Sequence, residues 1–501
     1  MNKYFYITTP IYYVNDSPHI GHAYTSLACD VIARYKRLDN YNVKFLTGTD
    51  EHGQKVEKSA ELMNKTPQDF VDEVSQRFRD LTKTMNFSND DFIRTTEERH
   101  IKTAITIWNK LKENNYIYLG KYAGWYSVRD EAFYNESELV EGKAPTGAPV
   151  EWVEESSYFF ALSKFSDKLL EFYEQNPDFI KPASRRNEVI SFVKSGLHDL
   201  SISRTSFKWG IKIPGDEAHI MYVWLDALTN YLSAITTEEG IDYNYWNEAI
   251  HVVGKDILRF HAIYWPAFLM AADIPPPKQI IAHGWWTNEG QKISKSLGNV
   301  IDPNKLVAEF GLDQTRYFLM REVPFGNDGN FSRTAMINRI NSELANNIGN
   351  LAQRSLSLIV KNCDAKVPVT TNAYSNPLLI EAESLREAVL AHLDLFEFNQ
   401  ILELLINFAN NANAYIDKEA PWALAKTDIT KMNEVLYVLA ESLRYIGILL
   451  APFMPGSMDK LLSILGVPEN ERGLAMLNRE YALREGAEIN ALSPIFPRFI
   501  G

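Results

Sequence analysis

Two short segments carry residue types able to handle a phosphate chain. The first is Ser17-Pro18-His19-Ile20-Gly21-His22. Serine is a good N-cap and proline fits the first helical position, so this pattern predicts a helix start. A helix N-terminus offers unpaired N–H groups and partial positive charge, which suit an anion. His19 and His22 then share one face, and Gly21 between them leaves room for a flat group to approach the backbone. Two imidazoles there could donate hydrogen bonds to a triphosphate; equally, they could be ordinary polar residues at a helix start. The second segment is Lys292-Ile293-Ser294-Lys295-Ser296. Lys292 and Lys295 could swing over a phosphate chain as mobile cations, or form only a solvated basic turn.

The elements around these segments bear on the choice. Lys3–Thr8 reads as a strand, His19–Leu38 as a helix and Asn42–Leu46 as a second strand, followed by a turn-rich stretch from Thr47 to Gly53. Helices are expected over 66–85 and 95–114. This alternation means βαβ units and a parallel sheet. Between 116 and 216 the texture changes to Tyr-, Gly- and Pro-rich stretches with short strands and one helical segment, 163–176, which suggests an insertion. The α/β rhythm returns with short apolar strands at Ala249–Val253 and Gln279–Ala282, each leading into a Gly-containing loop. From about 334 the chain reads as helical: Leu385, Val389, Leu393 and Phe396, then Ile401, Leu405, Phe408 and Ala412, recur at helical spacing. The fold class is therefore α/β, with one parallel-sheet domain in two halves, 1–115 and 217–333. An insertion, 116–216, splits it, and an all-α domain, 334–501, follows. Both phosphate-suited segments fall after strands, at the carboxyl edge where open α/β sheets bind ligands.

At 501 residues the chain is too long for one compact core. The formal net charge of −13 argues against a protein that coats nucleic acid by bulk electrostatics. On charge alone a small-molecule enzyme is expected. Cys29 and Cys363 cannot build a disulfide framework or a four-thiolate zinc site. No apolar run approaches the length of a membrane span, and the N-terminal apolar stretch breaks too early for a signal peptide. A cytoplasmic location without membrane contact is expected.

In this order the two segments resemble the class I aminoacyl-tRNA synthetase signatures His-Ile-Gly-His and Lys-Met-Ser-Lys-Ser, with Ile293 in place of methionine. The stretches Thr8 to Asn15, Thr47 to Gly53, Tyr222 to Leu228 and Gly254 to His261 resemble the methionine-specific members of that family. The likeness extends over essentially the whole chain. It implies a Rossmann-like catalytic domain, an all-α anticodon-binding domain, and ATP with Mg²⁺. It also implies ligation of L-methionine to its tRNA through a methionyl-adenylate.

Residue by residue, the resemblance implies that His19, His22, Lys292 and Lys295 stabilise the reacting phosphates, with Gly21, Gly254, Asp256 and Ser294 completing the ATP site. Ile11, Tyr13, Trp224, Ala227, Leu228, Tyr231, Ile257, His261 and Trp265 fall where the family surrounds the thioether. Asp50 falls where it holds the substrate ammonium. The chemistry of these side chains agrees: a polarizable thioether gains from aromatic contacts, and a buried ammonium needs a carboxylate. Asn350, Arg354 and Trp422 match positions used to read the CAU anticodon, and supply an aromatic platform with amide and guanidinium donors.

Many relatives carry a zinc knuckle built on Cys-x-x-Cys pairs. Here those places read Ser127-Val128-Arg129-Asp130 and Ala144-Pro145-Thr146-Gly147. Only Asp130 could ligate, so no structural zinc is expected. Expected partners are L-methionine and the initiator and elongator methionine tRNAs. A monomer is the default, because the chain ends at Gly501 without the additional dimerising domain of some relatives. Two other readings stay open: another class I synthetase or related nucleotidyltransferase, and a catalytically silent tRNA-binding protein on the same fold.

Overall fold

The structure, a computed structural model, describes residues 3–14, 17–130, 132–134, 136–293, 298–370, 373–490 and 493–500. Its centre is a seven-stranded parallel sheet: β1 (Lys3–Thr8), β2 (Tyr12–Tyr13), β3 (Tyr41–Asp50), β4 (Asp91–Arg94), β5 (Ile180–Lys181), β6 (Ala249–Gly254) and β7 (Gln279–His283). The order is β4-β3-β1-β6-β7-β5, with β2 pairing the distal end of β3. β1 lies at the middle, with Tyr6 opposite Lys44 on one side and Ala249 on the other.

Alternation along β1 sends Phe5 and Ile7 into one apolar core and Tyr6 into another. The Ile7 side is filled by α1 (Ile20–Leu38), α2 (Leu312–Arg321) and the helical domain; the Tyr6 side holds Trp108, Leu225 and Trp265. A parallel sheet covered on both faces accounts for the apolar runs seen in its strands.

Three expectations about element ends change. α1 begins two residues later than the Ser-Pro pair suggests, because His19 is its N-cap. The stretch from Thr47 to Asp50 is strand rather than turn. Gly48 permits this: a Cβ there would lie 2.0 Å from the Ile93 carbonyl oxygen of β4. Phe396 lies beyond its helix, Pro377–Asp394, at φ 60, yet stays buried in the same core.

Between β4 and β6 lies an antiparallel sheet of strands Ile117–Ser127, Ala132–Tyr134, Glu151–Phe160 and Leu200–Ser201, while Ile180–Lys181 returns to the main sheet as β5. At its tip the Asp130 carboxylate accepts hydrogen bonds from Tyr134 Oη (3.0 Å) and Thr146 Oγ1, and pairs with Arg129. Arg129 also donates to the Thr146 carbonyl at 2.7 Å. The one carboxylate in the knuckle positions thus serves neutral and cationic donors, a set that does not fit zinc.

In the helical domain, helices Pro377–Asp394, Phe398–Glu419 and Ile429–Leu450 pack together. Their periodic residues Leu385, Val389, Leu393, Ile401, Leu405, Phe408 and Ala412 are all buried. Buried Arg316 of α2 binds Asp30 of α1 at 2.7 Å and the carbonyls of Phe453 and Pro452 at 2.9 and 2.8 Å. Tyr35 Oη of α1 donates to the Leu449 carbonyl at 2.5 Å. The sheet-containing and helical parts are tied together along α1.

Candidate active site

The carboxyl ends of β3, β1, β6 and β7 open into one cleft of about 740 Å³. From β1 the chain turns one way to β3; β6 and β7 lie on the other side, so the cleft marks the reversal of strand order.

At one end stand His19 and His22. The His19 ring caps α1 by accepting from Gly21 N at 3.1 Å, and the His22 ring accepts from His19 N at 3.1 Å. Both bonds use Nδ1, so a neutral ring carries its proton on Nε2, the tautomer able to donate to an oxyanion. The rings stack at 3.8 Å, and His22 is further held edge-on by Tyr12 and Phe78. Ile20 N donates to Ile301 O at 3.0 Å, tying the start of α1 to the chain that returns from the lysine loop. That loop is pinched at its base, where the Asn299 side chain donates to the Lys292 carbonyl at 3.1 Å. Lys292 lines the cleft. Ser294 and Lys295 lie outside the described residues.

Asp50 ends β3, and its backbone oxygen accepts from Val14 N at 3.2 Å. The turn after it is locked by buried Glu51, whose carboxylate takes Arg94 Nε and Nη2 at 2.7 and 2.9 Å and the hydroxyls of Thr49 and Thr96. His52 follows, bonded at 2.7 Å to Asp226; His100 bonds the other oxygen of that carboxylate at 2.7 Å. Burial pushes the Asp226 carboxyl up, but the two imidazoles outweigh it and hold it at about 2. Asp226 sits in helix Val223–Ser233, which presents Trp224, Ala227, Leu228 and Tyr231 to the cleft.

Along the cleft and behind it three imidazoles are neutral. His261 Nδ1 faces the Ile257 carbonyl at 2.9 Å and must donate, so Nε2 accepts from Tyr231 Oη at 2.7 Å. Desolvation lowers the His261 pKa to about 4, and likewise depresses those of His251 and His283. His251 accepts from Trp265 Nε1 at 3.3 Å, and His283 Nδ1 donates to the Gly284 carbonyl.

The cleft brings together Ile11, Tyr13, Asp50, Trp224, Ala227, Leu228, Tyr231, Ile257 and His261 with His19, Gly21, His22, Gly254, Asp256 and Lys292. Trp265 does not line it; fully buried, it packs behind Tyr231 and His251. Sequence reasoning missed Phe260, which stacks on Trp224 at 3.7 Å, and Lys55, His283 and Trp285, which also line the cleft. For His283 and Trp285 a signal existed, since they end and follow β7 at the ligand edge. Phe260 sits beside His261 but carried no spacing of its own.

Outside the cleft lining, Asn350 is exposed on helix Asn350–Asn362. Arg354 lies 5.5 Å over the ring of Trp422, which is 46% exposed, and pairs with Asp417. No described helix is long and apolar enough to cross a membrane.

A family model described as "tRNA synthetases class I (M)" matches residues 5–150 and 146–356, and "Anticodon-binding domain of tRNA ligase" matches 377–485. The chain is 63% identical to a methionine–tRNA ligase of Rickettsia conorii, with all of both chains covered. It is 53% identical to one of Brucella suis, over 99% of this chain and 98% of that one. Among solved structures, Mycobacterium tuberculosis methionyl-tRNA synthetase in complex with methionyl-adenylate matches with TM-score 0.96 and 46% identity, covering 99% of this chain and 100% of that one. The apo form of that enzyme matches with TM-score 0.90 and 44% identity, covering 100% and 99%.

Proposed function

The chain belongs to the methionine-specific class I tRNA synthetases, and from that premise we propose how its residues share the work. It ligates methionine to tRNA at the expense of ATP, through a methionyl-adenylate. The observation that carries the site assignment is one cleft with an aromatic, neutral-imidazole end and a cationic end, joined across Asp50 and Asp256.

In this reading the thioether lies among Tyr13, Trp224, Tyr231 and His261, where a polarizable sulfur gains from ring contacts and meets no buried charge. Asp50 holds the ammonium. The substrate carboxylate is already ionised and needs no general base; it attacks the α-phosphorus of ATP in line, and pyrophosphate leaves. Catalysis is then positioning plus stabilisation of charge on the phosphate oxygens. His19 and His22 donate from Nε2, and Lys292 and Lys295 follow the leaving pyrophosphate. Gly254 and Asp256 receive the adenosine end, and Gly21 and Ser294 border the triphosphate. Part of the triphosphate charge would be shared with Mg²⁺ arriving with ATP. Among the described residues no group of three or more His, Cys, Asp or Glu is placed to hold a metal ion.

The acyl group then passes to the terminal adenosine of tRNA. Asn350, Arg354 and Trp422 read a CAU anticodon on initiator and elongator methionine tRNAs, with the half-exposed indole as platform. The enzyme works as a monomer in the cytoplasm, in keeping with two unpaired thiols.

Amino-acid-dependent exchange of labelled pyrophosphate into ATP tests the activation step. Exchange is expected with methionine and not with leucine, isoleucine or cysteine, which lack the thioether the aromatic pocket is read to hold. Absence of methionine-dependent exchange in folded protein would contradict the reading.

A further inference from the structure

Trp285 stands at the ATP side of the cleft and has no role in the mechanism above. The residue is 45% exposed, an unusual place for an indole unless something uses it. Yet its backbone is fixed from both sides. Its N–H donates to Asp328 Oδ1 at 2.8 Å, and its carbonyl accepts from Gly329 N at 2.7 Å. The neighbouring Gly284 has no room for a side chain, because a Cβ would lie 2.3 Å from the Asn327 carbonyl oxygen. The 327–329 turn therefore clamps the chain at 284–285 and presents the ring outward.

That ring touches groups assigned to ATP. Indole Nε1 donates to Asp256 Oδ1 at 3.0 Å. The same oxygen lies 2.5 Å from where a Cβ on Gly254 would stand, so glycine there leaves the carboxylate its place. Oδ1 is thus committed to the protein, while Oδ2 has no hydrogen-bond partner among the described residues. The face of the ring lies 5.7 Å from Lys292 Nζ and 4.5 Å from Lys255 Nζ. Lys255 is neutralised by Asp328, with both carboxylate oxygens at 2.7 Å. Lys292 is the ring's contact at the base of the lysine loop, in the range of a cation–π attraction.

We propose that Trp285 is a positioning residue of the ATP half-site: its N–H turns Asp256 so that Oδ2 faces the ribose, and its ring holds Lys292 at the mouth. This rests on the assignment of Asp256 to the ATP side. Trp285 acts through another residue, so the effect of its loss depends on that residue being present.

The test is a double-mutant cycle read as KM for ATP and for methionine in pyrophosphate exchange. The enzymes are the wild type, Trp285→Phe, Asp256→Ala and the pair. Trp285→Phe keeps a ring for Lys292 and loses the N–H. It is expected to raise the ATP KM roughly 3- to 10-fold, to do so less than twofold when Asp256 is already alanine, and to leave the methionine KM within twofold. Trp285→His, which keeps both ring and N–H, should recover most of the loss and serves as the folded control. The proposal fails if Trp285→Phe leaves the ATP KM unchanged, raises both KM values alike, or acts additively with Asp256→Ala. If Asp256→Ala itself leaves the ATP KM unchanged, the assignment of Asp256 falls first, and this inference with it.

Discussion

At His261 the partners dictate the proton: the Ile257 carbonyl claims Nδ1–H and Tyr231 Oη donates to Nε2, so a second proton has nowhere favourable to go. Its folded pKa, about 4, lies below the ordinary 6.5. More than a unit above 6.5 the group is neutral whether the chain is folded or not, and contributes almost nothing to pH dependence. As pH falls from 6.5 toward 4 the unfolded chain binds a proton that the folded one refuses, and stability drops, by about 3 kcal/mol in full for this group. His251 and His283 shift in the same direction. Asp226 does not interfere, because its depressed pKa matters only below its ordinary 3.8. Urea unfolding at pH 8.5, 7.5 and 5.5 should give equal stability at the first two and a lower value at the third; equal stability at all three would count against the neutral assignment. Membership of the cleft was legible where a side chain belonged to a motif, as with His19, Asp50 and Lys292. They were not legible where packing decides. Trp265 ends behind the pocket because Tyr231 and His251 stand in front of it. Phe260 and Trp285 reach the cleft through a stacking contact and a turn clamp that no local spacing records.

At the scale of elements, α1 does two jobs. Its N-terminus is capped by the His19 and His22 imidazoles that line the cleft, and its later turns carry the Asp30–Arg316 pair, fully buried on both sides. Burial pushes the Asp30 carboxyl up, but Arg316 and Arg34 outweigh it and keep it ionised. Replacing Arg316 with Met leaves Asp30 buried with only Arg34 as a cation, and is expected to cost about 3–5 kcal/mol. Joint replacement of Asp30 and Arg316 by apolar residues should cost less than the single change. Urea midpoints of the two variants check this, and a cost for the pair no smaller than for the single change would contradict it. Most element types were readable because strands alternate or run apolar and helices repeat at 3.6 residues. Their ends obey tertiary contacts: His19 moves the start of α1 by capping it, and Gly48 lets β3 run on beside Ile93. A two-residue strand such as Ile180–Lys181 has no period to detect.

At the scale of the molecule, the net charge of −13 pointed away from nucleic acid, whereas the family handles tRNA. Acidic residues outnumber basic ones from Gly326 to Gly501 as well. Net charge describes the whole surface, while recognition needs only local contacts. The two ends are linked through one framework: cleft, α1, α2 and helical domain share a continuous core. The claim on which the account turns is that one cleft holds methionine at its aromatic end and adenosine at the Asp256 end. A crystal structure of this chain with a non-hydrolysable methionyl-adenylate analogue measures it directly. The account predicts the thioether among Tyr13, Trp224 and His261, the ammonium on Asp50, the ribose on Asp256 and the bridging group beside His19 and His22. An analogue bound in the reverse sense, or an ammonium that does not reach Asp50, would contradict it.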